Sequence, residues 1–122
     1  MALDTPEHLA ATRMFIDQRP ENIVLSRVTQ VLDGQGGWTK SSPTTLPPQT
    51  MRKVATARLA DLTARTTEDG ATVVPTAYLI AMPDADIQRY DIFELDGVMH
   101  EVLYIGRLPE WRIQAEVVER RG

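Results

Sequence analysis

The sequence predicts a mainly β fold: a small β-barrel of about five to six strands, with a short N-terminal helix and a long projecting inter-strand loop. Three observations predict it. Short β-branched or alternating runs recur along the chain between Pro and Gly turns, the spacing of a small sandwich or closed barrel. Only the N-terminal stretch has the chemistry of a helix start. Residues 33–50, rich in Gly, Pro, Ser and Thr, form a connection far longer than most inside compact domains.

The first element is a helix. Thr5-Pro6-Glu7 offers a hydroxyl at the N-cap, proline at the first helical position and an acid in the first turn. Leu9, Ala10, Met14 and Phe15 give it one apolar stripe, and it ends before Arg19-Pro20. So short a helix needs a larger surface to pack on. From Asn22 to Leu32 the run is β-branched and reads as one strand. The loop at 33–50 follows, carrying Trp38, one of two tryptophans.

Met51 to Leu62 is ambiguous, and its context reads it as a strand. Met51, Val54, Ala55, Leu59 and Leu62 fit helical spacing, whereas Pro47-Pro48 and the β surroundings favour a strand. A polar connection spans Thr63 to Pro75, with its turn at Asp69-Gly70. Thr76 to Met82 alternates Tyr78, Ile80 and Met82 against Ala77, Leu79 and Ala81. Two apolar-rich strands flank Asp96-Gly97 between Asp91 and Ile105, the clearest hairpin in the chain, although its register is not readable. Trp111, Ile113, Ala115 and Val117 alternate with Arg112, Gln114 and Glu116, a strand with one buried face.

Composition bounds the rest. The 122 residues make one domain, 1–122, with a helical segment at 1–20 and the barrel at 22–119. A net charge of −4 argues against a nucleic-acid grip, and no apolar run approaches a membrane span. The N-terminus lacks the charged and apolar regions of a signal peptide. With no cysteine, disulfides, thiolate nucleophiles and Cys-based zinc sites are excluded.

Motifs for chemistry are sparse. His8 and His100 stand in no Gly-x-Ser-x-Gly or similar nucleophile context, so both read as structural or surface residues. Asp84-Ala85-Asp86 with Asp91 has oxygen-ligand spacing, but it follows Pro83 and lacks the EF-hand glycine and closing glutamate; turn formation explains it. Gly34-Gln35-Gly36-Gly37 is followed by Trp38, Thr39-Lys40 and prolines rather than by a helix, so it is no phosphate loop. Trp38 with Lys40 could stack a single-stranded base, yet one aromatic and one lysine make no groove, and Asp33 opposes it. An alternative is that Trp38 folds back to cap the barrel; an interface anchor is the favoured reading. Arg107, Arg112, Arg120 and Arg121 interleave with Glu110, Glu116 and Glu119, as on a solvated face. No catalytic constellation, cofactor or metal site is expected.

The order of features resembles the small head-closure, or head-to-tail stopper, proteins of tailed bacteriophages. The matching pieces are the helix-like start, Glu21-Asn22-Ile23-Val24-Leu25, the Gly36-Gly37-Trp38 tip and Leu46-Pro47-Pro48-Gln49-Thr50-Met51-Arg52. They continue through Asp84-Ala85-Asp86-Ile87, Asp91-Ile92-Phe93, Asp96-Gly97, Glu101-Val102 and Trp111-Arg112-Ile113-Gln114-Ala115-Glu116. The resemblance implies a β-barrel subunit of a dodecameric ring in the virion neck, assembled in the host cytoplasm. Such a ring lies below the portal and adaptor, closes the DNA-filled head and docks the tail terminator or tail tube, with packaged DNA in its lumen and no sequence-specific contact. In that family a long inter-strand loop projects toward the channel or a neighbouring ring; residues 33–49 match best, and Thr63–Pro75 second. Gly36, Gly37, Trp38 and Lys40 are then the expected contacts, and Pro47 and Pro48 stiffen the return strand. The rivals are another connector ring, a tail terminator or adaptor, and a small barrel binding peptide or nucleic acid.

Overall fold

The computed structural model describes residues 5–28, 30–32, 38–40, 43–55, 64–107 and 110–120. One helix, α1 (Thr5–Gln18), is followed by strands β1 (Glu21–Ile23), β2 (Ser26–Arg27), β3 (Gln30–Leu32), β4 (Trp38–Lys40), β5 (Thr44–Thr45) and β6 (Gln49–Ala55). The order continues with β7 (Arg65–Thr66), β8 (Thr72–Val73), β9 (Ala77–Ala81), β10 (Ile92–Leu95), β11 (Val98–Gly106) and β12 (Ile113–Arg120). Eight strands form one antiparallel sheet in the order β1-β6-β9-β12-β11-β10-β2-β5, while β3-β4 and β7-β8 are separate two-stranded ribbons. The main sheet therefore has eight strands, more than the five to six expected.

Chain connectivity forces this sheet to curl. β1 and β2 hold the first and seventh places in the sheet, which in a flat sheet would lie about 29 Å apart. Yet only Val24 and Leu25 separate them, and three Cα steps reach at most about 11 Å. β5 and β6, in the eighth and second places, are likewise joined by Leu46-Pro47-Pro48 alone. The result is a curled half-barrel whose two edges are tied by short crossings. Leu25, wholly buried at one crossing, accepts a hydrogen bond from Leu46 N at the other, 2.8 Å away.

This explains why the run from Asn22 to Leu32 is three strands instead of one. β1 pairs β6, β2 pairs β10 and β5, and β3 pairs β4, so a single β-branched segment serves four different neighbours. The ambiguous segment from Met51 is a strand as far as Ala55; residues 56–63, with Leu59 and Leu62, lie outside the described residues.

Alternation fills the interior. Ala77, Leu79 and Ala81 on β9 and Ile113, Ala115 and Val117 on β12 point inward with Ile23, Met51, Phe93 and Val102. Each fully buried side chain of the Leu or Phe class contributes roughly 2 kcal/mol by removal from water. Ile80 is also buried, on the opposite face of β9, where it helps line a groove with helix residues Ala11, Thr12 and Phe15. The helix buries Thr12 and Ile16, not the expected stripe, and leaves Met14 66% and Phe15 37% exposed. Thr12 can be buried because its hydroxyl donates to His8 O one turn back at 3.0 Å. Arg52 on β6 closes the helix end: its Nη1 donates to Phe15 O at 2.9 Å, and its guanidinium lies 3.9 Å over the Phe15 ring.

The Asp96-Gly97 turn pairs Leu95 with Val98 and Phe93 with His100. Both turn residues have positive φ, 54° and 79°, as a two-residue hairpin turn of matching twist requires. Gly70, at φ 93°, supplies the corresponding freedom in the β7-β8 turn.

Candidate functional site

The stretch at 33–50 resolves into an arm and a bridge. The arm is the β3-β4 ribbon, in which Gln30 faces Lys40, Val31 faces Thr39 and Leu32 faces Trp38. Trp38 is thus the first residue of the returning strand and Lys40 its last. Gly36 and Gly37 lie outside the described residues. Among the described residues neither strand of the arm pairs with the main sheet. Pro47 and Pro48 are exposed and belong to the bridge from β5 to β6, apart from the arm. Proline suits that place because the crossing demands an extended backbone and no ladder donor there.

The loop from Pro83 to Tyr90 stitches the two edges of the half-barrel. On one side the Gln49 side chain of β6 pairs with the backbone of Asp86, donating to its O at 2.8 Å and accepting from its N at 2.7 Å. On the other, Arg27 of β2 donates from Nε and Nη2 to the two carboxylate oxygens of Asp91 at 2.9 and 2.8 Å, and its Nη1 lies 3.0 Å from Asp86 Oδ1. Asp91 is 1% exposed and also accepts from Gln88 N at 2.8 Å. The two acids push the Arg27 guanidinium further above its ordinary range, Asp91 foremost. Asp86 and Asp91 do come together, around an arginine rather than a metal.

Next to this loop is a cleft of about 510 Å³ lined by Val28, Glu68, Arg89, Tyr90, Glu101 and Arg120, with Ile92 among its walls. Glu101, 2% exposed, accepts from Glu68 N at 2.8 Å and lies 3.5 Å from Arg120 Nε. It thereby ties the β7-β8 ribbon to β11. Tyr90 adopts φ 74°, a conformation costing a non-glycine residue about 1–2 kcal/mol, and is held there by its N–H donating to Val102 O at 2.7 Å. Two arginines and two carboxylates face one another in the cleft, an arrangement that is neither a phosphate cradle nor a nucleophile site.

His100 is wholly buried and stacked on Phe93, with centroids 4.7 Å apart and planes within 5°. Its Nδ1 is 2.9 Å from Val98 O, which can only accept, so the proton sits on Nδ1. Nε2 then accepts from Lys53 Nζ at 3.1 Å. Burial, followed by the Lys53 charge, pushes the imidazole below its ordinary value, and it is held neutral. His8 stacks on Trp111 at 4.0 Å with planes 20° apart. The described ring contacts of His100 are Phe93, Val98 and Lys53, with no serine or threonine hydroxyl among them.

Beside the His8–Trp111 stack, between the helix and the sheet, lies a groove of about 240 Å³ lined by Thr12, Phe15, Ile80 and Arg112. Arg112 Nε is buried there without a hydrogen-bond partner. Sequence reasoning placed Arg112 on a solvated face; it is partly buried and lines the groove with helix residues Thr12 and Phe15. Other members of the same charged set are paired: Glu116 binds Arg65 two-fold at 3.1 and 2.9 Å, and Glu119 approaches Lys53. Arg121 lies outside the described residues.

Among the described residues no group of three His, Cys, Asp or Glu is placed to hold a metal ion, and no helix is long and apolar enough to cross a membrane. No family model and no curated protein matches the chain.

Proposed function

We propose that the chain is a structural, non-enzymatic subunit of a phage virion neck, a head-to-tail stopper that assembles as a ring below the portal and adaptor. The observation that carries this reading is the β3-β4 arm: a ribbon that, among the described residues, pairs only with itself and not with the eight-stranded half-barrel. An arm of that kind, carrying Trp38 on its returning strand, suits contact with a neighbouring ring or the lumen. The resemblance spread over the chain supplies the identity of that neighbour.

The physics of the subunit is compatible with the role. A small domain gains burial by assembling, and a head-to-tail contact that closes makes a ring. A subunit of net charge −4 lines a channel without gripping the DNA that slides through it. Among connector rings an adaptor is expected to be mainly helical, so the mainly β fold favours a stopper over an adaptor.

The test is co-sedimentation of the purified chain with DNA-filled, tailless heads, followed by tail attachment. Binding to the heads supports the reading. Indifference to them, together with salt-dependent binding of free single-stranded DNA, favours the nucleic-acid module instead.

A further inference from the structure

We infer that the Arg112 groove is the socket for the β10-β11 turn of a second copy of this chain, with Glu94 of one subunit entering the groove of the next. The inference rests on the ring reading above and names the contact that would build the ring.

Three observations carry it. The first is Arg112 itself, whose Nε is buried without a partner and whose side chain lines a groove beside the His8–Trp111 stack. A buried guanidinium N–H without an acceptor is costly, and a carboxylate is the acceptor its fork geometry fits best. The groove, at about 240 Å³, is smaller than the usual range for small-molecule sites and suits a single side chain.

The second observation is the chemistry of the β10-β11 turn. Glu94 and Asp96 are exposed there, and Val98 and Met99 beside them are 37% and 41% exposed. The turn thus presents carboxylates next to an apolar patch. The groove presents the complement: Arg112 beside the half-exposed ring of Phe15, with Met14 exposed on the same helix.

The third observation is placement. In the β11-β12 ladder Met99 faces Arg120 at one end and Gly106 faces Gln114 at the other. The turn and the Trp111-Arg112 pair therefore lie at opposite ends of that ladder, about 23 Å apart over the seven-residue interval. Within one subunit they cannot meet. Between subunits the contact is head-to-tail, the type that closes into a ring.

The experiment is sedimentation velocity of the full chain over a concentration series, comparing wild type, Arg112→Glu, Glu94→Arg and the double variant. Glu94 is exposed, so its reversal leaves the fold intact whatever becomes of the Arg112 variant. Concentration-dependent association of the wild type is expected. Each single reversal should weaken it about thirtyfold or more, and the double variant should recover most of the loss. Association unchanged by both reversals overturns the contact and leaves the neck reading to its own assay on filled heads. Wild type that stays monomeric at the highest attainable concentration also overturns it. So does a monomer whose Trp111 fluorescence is saturated by glutarate in the wild type but not in Arg112→Glu, since the groove would then hold a free carboxylate.

Discussion

Arg27 and Asp91, 64 residues apart in sequence, meet through two parallel hydrogen bonds of 2.9 and 2.8 Å, and this pair fastens β2 to the start of β10. Asp86, bound to Arg27 on one side and through its backbone to Gln49 on the other, extends the same fastening to β6. The half-barrel is held at its seam by this polar row as well as by its core.

Removing one member of the pair is expected to be costly. Asp91→Ala should destabilise the chain by about 2–4 kcal/mol, because the mostly buried Arg27 keeps only the exposed Asp86 as an anion. A combined Arg27→Met, Asp91→Leu variant should recover a large part of that loss. Urea midpoints at constant m-value check both. A loss below about 1 kcal/mol for Asp91→Ala would mean that the pair is incidental to the seam.

Gln49→Ala removes both side-chain bonds to Asp86 but leaves partners that water can reach, so a smaller loss of about 1 kcal/mol is expected. Amide exchange of Asp86 and Ile87 should quicken more than that of β11, which identifies the effect as local.

His100 makes stability depend on pH. Its folded-state value lies below the ordinary 6.5, so between those two values the unfolded chain binds more protons than the folded one. Stability is therefore fully present above about 6.5 and falls as the pH drops toward the folded value. Denaturant midpoints across that range should show the decline in wild type and a flatter profile in His100→Phe.

Gly97→Ala should cost about 1 kcal/mol although a Cβ there meets nothing within 4 Å, since the penalty comes from φ 79° alone. Thermal unfolding measures it, and a neutral result would show that the turn can switch type.

How much of this could be read from the sequence depended on the range of the interaction. Asp96-Gly97 announces its turn because the cause lies in the backbone freedom of two adjacent residues. The inward alternation on β12 was legible for the same reason: strand geometry fixes it locally. Arg27 and Asp91 carry no mutual signal, since only the curl of the sheet brings them together. The division of residues 22–32 into three strands followed from which neighbours the seam supplied, and β-branched composition is silent on that. In the helix, Met14 and Phe15 outranked Thr12 by hydropathy, yet the back-bonded hydroxyl let Thr12 take the buried position. Arg112, expected on a solvated face, is only partly exposed: a strand pattern does not reveal that helix residues line the groove beside it. Trp38 was expected near the tip of a hairpin-like arm; the ladder pairs it with Leu32, and residues 33–37 between them lie outside the described residues.

The measurement that bears most directly on the proposed role uses the arm. Replacing residues 30–40 by a short Gly-Ser linker should leave the eight-stranded sheet folded, because β3 and β4 pair only with each other. Wild type and the armless variant are then compared for co-sedimentation with DNA-filled, tailless heads and for restoration of tail attachment. The account predicts that wild type binds the heads and restores attachment, and that the folded armless variant fails in closure or docking. Wild type that ignores filled heads, or an armless variant that replaces it fully, would contradict the account.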